Sequence, residues 1–108
     1  MTNLPHPLQA LGDARAGQTG VDAARERLVA AGVDPYGWSN AAGDRYTAHD
    51  HGFTKLLICA EGSITFLIGP DEVAVELHAG DGIIMPAGTA HAAVVGPEGC
   101  TCLEGHRA

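Results

Sequence analysis

Residues 43–95 read GDRYTAHDHGFTKLLICAEGSITFLIGPDEVAVELHAGDGIIMPAGTAHAAVV, and this stretch decides the fold. Its apolar runs are short: FTKLLICA, SITFLIG, DEVAVELH, GIIMP and HAAVV. E-G, G-P-D, A-G-D-G and P-A-G-T separate them, and a further G-P-E-G precedes CTCLEG. Gly, Pro and Asp set the backbone angles of tight turns, so each run reads as a strand. In DEVAVELH, Val73, Val75 and Leu77 alternate with Glu72, Ala74, Glu76 and His78. Period-two alternation of this kind belongs to a strand with one buried face. FTKLLICA and SITFLIG are apolar on both faces, which predicts cover from a barrel interior on one side and from a helix or partner subunit on the other.

Upstream, VDAARERLVAA places Val21, Ala24, Leu28 and Ala31 along one side of a helix. Thr19 and Asp22 have capping-box spacing, and Gly32 is a natural stop. Residues 1–18, rich in Pro, Gly and Ala, are expected to form a flexible or loosely docked arm, with 19–108 as a single domain. The predicted class is therefore all-β, a small barrel carrying one N-terminal α-helix on its outside.

Composition narrows the possible roles. The chain has 108 residues, 15 of them glycine, and a formal net charge of −7. A surface of that sign repels phosphate backbones and anionic lipid, so nucleic acid and membrane surfaces are not expected partners. No run approaches the roughly 18 apolar residues needed to span a bilayer. No basic segment followed by an apolar one opens the chain, and the three cysteines, Cys59, Cys100 and Cys102, form no disulfide framework. Both features fit a reducing cytoplasm. No glycine-rich phosphate-binding pattern is present.

The histidines carry the chemistry. His49 and His51 are one residue apart, so on an extended strand they share a face, with Cα atoms about 6.6 Å apart. His91 follows a Pro/Gly turn and starts another strand. Three imidazoles from two remote segments can converge on one first-row transition ion, and Fe, Mn, Ni and Zn all accept such ligands. His6, His78 and His106 are expected at the surface or in the chain ends. Tyr46 and Trp38 either wall a ligand pocket or join the core. Leu57, Cys59, Phe66, Met85 and Ala93 are candidate barrel lining.

At these residues the sequence resembles the cupin superfamily. Its first motif is Gly, five residues, His-x-His, three or four residues, Glu, six residues, Gly; here it runs from Gly43 through His49, His51 and Lys55 to Gly62. The second is Gly, five residues, Pro-x-Gly, two residues, His, three residues, Asn; here it runs from Gly80 through Pro86, Gly88 and His91 to Val95. The resemblance implies a double-stranded β-helix of the jelly-roll kind, with His49, His51 and His91 as inward-facing metal ligands and a homodimer as the common assembly.

Two positions depart from the pattern: Lys55 replaces the motif's Glu and Val95 its Asn. Lys55 shares strand parity with the histidines, so an ammonium faces the interior where a carboxylate ligand would stand. Three outcomes are open. The three imidazoles hold a divalent ion while Lys55 bends away, as in three-His cupin dioxygenases that also lack the Glu. Lys55 pairs with a carboxylate such as Glu104 or Glu61 and metal binding is weak. Or Lys55 is itself catalytic, a nucleophile or base toward a carbonyl compound. Two functions compete accordingly. One is a metal-dependent enzyme, oxygenase-like or isomerase-like, acting on a small molecule. The other is a non-enzymatic small-ligand-binding or sensor cupin with a degenerate metal site.

Overall fold

Two long strands form the spine of the structure, a computed structural model that describes residues 4–11 and 19–108. In chain order the elements are β1 (Gln9–Ala10), α1 (Val21–Ala30), β2 (Tyr36–Asn40), β3 (Arg45–His49), β4 (Thr54–Ile68), β5 (Val73–His78), β6 (Gly82–Met85) and β7 (His91–Arg107). β4 and β7 pair antiparallel along nearly their whole length, from Thr54 opposite Arg107 to Ile68 opposite His91. The first half of β4 also pairs with β6, and its second half with β5. The two halves of β7 are flanked in the same way by β3 and β2. One continuous ladder thus serves two sheets, which fold over a shared core. The all-β jelly-roll expectation holds.

The bend of this spine was expected to be a pair of turns and is instead a pair of bulges. Glu61-Gly62 and the Gly96–Gly99 segment lie inside β4 and β7, where the register shifts between Cys59 and Ile64. Gly62 has φ 73° and Gly99 φ 77°. A Cβ at Gly62 would overlap the Gly99 carbonyl. Two glycines thus let the paired strands pass from one sheet to the other at close approach.

Strand parity sorts the core into two clusters. Leu57 and Cys59 face inward with Ile64, Phe66, Ile68, Val75, Leu77, Ile83, Met85, Ala93 and Val95. Leu56, Ile58 and Ala60 face outward, onto Ala24 and Leu28 of α1, with Leu103 and Val33. The helix supplies the outer cover of FTKLLICA; Ser63, Thr65 and Leu67, on the outer face of SITFLIG, are half-buried and outside this cluster. Its N-cap is Gly20, without a side-chain cap, so the predicted Thr19 box does not form. Its C-terminus ends as expected: Gly32 N–H donates to Val29 O and Val33 N–H to Leu28 O, the paired bonds of a Schellman close. Within the expected arm, Leu8 and Leu11 are buried and β1 pairs with β6; residues 12–18 lie outside the described residues.

Candidate metal centre

The site is built where β3 and β7 begin and end. β3 stops at His49, which pairs with His91, the first residue of β7. His51 lies two residues further on, in the loop rather than on the strand. A register shift between Tyr46 and His49 re-aims this end of β3. The loop is tied to the second motif: Gly88 N–H donates to the His51 carbonyl at 2.9 Å, and the Pro86–Thr89 turn closes on itself through Thr89 N–H and Oγ1 to Pro86 O. The Pro-x-Gly segment thereby positions both His51 and His91.

One ring nitrogen from each of His49, His51 and His91 falls within 4.8 Å of the other two. Among the described residues this is the one such grouping of His, Cys, Asp or Glu. The orientation is set from behind. His49 Nδ1 donates to Thr47 O at 2.7 Å, and His91 Nδ1 to Thr89 O at 2.8 Å, which leaves both Nε2 lone pairs free. Nε2 of His51 and of His91 are buried without a hydrogen-bond partner. Burial, Lys55 and the neighbouring imidazole of His49 hold the His51 pKa below its ordinary value. Burial lowers that of His91 as well, against the Thr89 bond, with help from His49, Lys55 and His51. Both rings therefore favour the neutral, ligand-competent form.

Beside the triad lies a cavity of about 230 Å³. Trp38, Tyr46, Phe53, Phe66 and Ala93 give it apolar walls, and Lys55, Glu104, Tyr36 and His106 a polar end. Lys55 Nζ is 3.7 Å from Glu104 Oε2, and both side chains are buried. Trp38 Nε1 donates to Glu104 Oε1 at 2.7 Å, and Tyr36 OH to Oε2 at 2.9 Å. His106 Nε2 also bonds Oε2. Burial alone would raise the Glu104 pKa. The bond from His106, the Lys55 charge and the bonds from Trp38 and Tyr36 together outweigh it and hold the carboxyl below its usual range.

Residues 36–103 match the family described as the AraC-like ligand binding domain. The chain belongs to this family. No curated protein matches the chain. Solved structures share the fold of this AraC-like domain. An RmlC-like cupin from Shewanella frigidimarina NCIMB 400 is 23% identical, with TM-score 0.59 over 68% of this chain and 64% of that one. An uncharacterized conserved protein with a double-stranded β-helix domain from Klebsiella pneumoniae is 23% identical, with TM-score 0.60 over 67% and 64%. The DMSP lyase DddQ from Ruegeria pomeroyi DSS-3 is 24% identical, with TM-score 0.62 over 68% and 37%. This chain matches less than two thirds of the length of each of these structures, and the likeness is one of fold.

The AraC-like domain thus brings together the three histidines that its sequence singled out, and Lys55 meets Glu104, one of the two carboxylates named for it. Trp38 and Tyr46 wall the cavity, and Trp38 packs against the inner core as well. His106 is exposed, as expected, and it also lines the cavity: it bonds Glu104 and stacks on Phe53 with ring centroids 3.9 Å apart. Its parity with Glu104 along β7 was the available signal, since residues two apart share a face. The cysteines are free and buried. No helix among the described residues is long and apolar enough to cross a membrane.

Proposed function

We propose that His49, His51 and His91 hold a divalent first-row transition ion, and that the adjoining cavity presents a small molecule to it for an oxygenase-like or isomerase-like reaction. The observation that carries this reading is the pair of buried Nε2 atoms on His51 and His91 that have no partner within the protein. A buried ring nitrogen without a partner is costly, and an ion at the centre of the triad would satisfy both. A bound ion would supply Lewis acidity at its open positions. The protein's own part is to fix the rings of His49 and His91 through Thr47 and Thr89, to wall the site with Trp38, Tyr46 and Phe53, and to offset Lys55 with Glu104. That offset reduces the repulsion an ion would otherwise meet from the ammonium.

The alternative is a binding or sensor module without turnover. The family description, a ligand-binding domain, favours it. Elemental analysis of the purified protein beside His51→Ala tests the metal. Stoichiometric iron, manganese, nickel or zinc that is lost in the variant supports the triad as ligands. Protein that stays metal-free after incubation with each ion overturns it. Turnover of any small-molecule library member, abolished with the metal, decides for the enzyme over the sensor.

A further inference from the structure

The two charged groups at the polar end of the cavity are not equally engaged. Both oxygens of Glu104 are taken, Oε1 by Trp38 and Oε2 by Tyr36 and His106. Lys55 is different. Its ammonium carries three N–H donors. It meets Glu104 at 3.7 Å, an ion pair longer than a hydrogen bond. Its side chain is 9% exposed and lines the cavity. A largely buried lysine whose ammonium opens onto an apolar-walled cavity can donate to an acceptor from outside the protein.

Charge points the same way. Lys55 and Glu104 cancel. A divalent ion, on the reading above, would leave the cavity net positive. The volume, about 230 Å³, admits a small organic ion rather than a large one. We propose that the ligand is a small carboxylate, its carboxylate group hydrogen-bonded by Lys55 and its carbon skeleton laid against Trp38, Tyr46 and Phe66. This deepens the proposed function, yet the Lys55 contact does not require the metal.

The test is titration calorimetry with pyruvate and its neutral isostere pyruvamide, on metal-loaded and metal-free protein. Wild type should bind pyruvate at least about tenfold more tightly than pyruvamide. Lys55→Met should erase the preference without changing metal stoichiometry. Glu104→Gln, which removes the competing anion, should increase it. A merely structural Lys55 would not give opposite effects in the two variants. Should Lys55→Met fold poorly because Glu104 is left without a counter-ion, the double variant Lys55→Met/Glu104→Gln replaces the pair by neutral groups and must also lack the preference. Equal affinity for the two probes, binding of neither, or a preference that survives the loss of Lys55 overturns the proposal. A preference retained in protein that takes up no metal overturns the metal reading and sustains this one.

Discussion

The Tyr36 hydroxyl shows how one carboxylate orders the polar end of the cavity. Burial, together with its bond to and the charge of Glu104, pushes the Tyr36 pKa up to about 12. The chain has two tyrosines. Absorbance titration of phenolate should therefore show a late step near pH 12 that Tyr36→Phe removes. Glu104→Gln, which deletes the charge but keeps an acceptor, should move that step back toward 10. A single transition at the ordinary value in wild type would contradict the Glu104 network. Half of this network was legible in the letters. An inward lysine calls for a counter-charge, so Glu104 and Glu61 could be named as its candidate partners, though not which of the two. His106 could be put on the face of Glu104 by parity, but its stack on Phe53 depends on how β7 approaches a segment some fifty residues earlier in the chain. Tyr36 depends likewise on β2 lying against β7, with Tyr36 opposite Glu104.

Among the elements, the paired bend of β4 and β7 decides whether two sheets can share one spine. Gly62 and Gly69 have the same φ, 73°, but different surroundings. A side chain at Gly69 meets nothing within 4 Å, whereas one at Gly62 overlaps the Gly99 backbone. Gly69→Ala should therefore cost only the left-handed penalty, about 1–2 kcal/mol. Gly62→Ala adds a backbone collision and should cost roughly 3 kcal/mol or more, or abolish folding. Urea denaturation of the two variants, compared with wild type, measures the difference; equal losses would mean the close approach at the bend is unimportant. The sequence made the faces of β4 legible, because parity alone separates Leu57 and Cys59 from Leu56, Ile58 and Ala60. It did not make the bend legible. A Glu-Gly step inside a strand and one inside a hairpin use the same backbone freedom, and only the ladder to a remote strand distinguishes them. For the same reason His51 was assigned to a strand that ends at His49.

Viewed whole, the molecule places its outer, helix-covered cluster and its candidate site on opposite faces of β4. Leu28, fully buried against the outer cluster, is remote from the histidines in this arrangement. Leu28→Ala should cost about 2–5 kcal/mol in denaturant while leaving metal stoichiometry unchanged. The site in turn should govern how stability depends on pH. His51 and His91 have folded pKa values below 6.5, so just below that pH the unfolded chain takes up protons that the folded chain refuses. Metal-free protein should hold full stability above 6.5 and lose it as pH falls through this window. Glu104, lowered from 4.5, adds a second loss: its contribution is complete above 4.5 and disappears as pH falls through the folded value. Both limbs slope in the same direction, toward acid destabilisation. His91→Gln should reduce the upper limb to the share of His51 and leave the lower one. Added metal should raise the denaturation midpoint near neutrality, by a margin that shrinks as acid competes for the same ring nitrogens. Stability that stays level from pH 7 to below 5 in the metal-free protein would show that the folded chain takes up protons at His51 and His91 as readily as the unfolded one, and that neither burial nor Lys55 lowers their pKa.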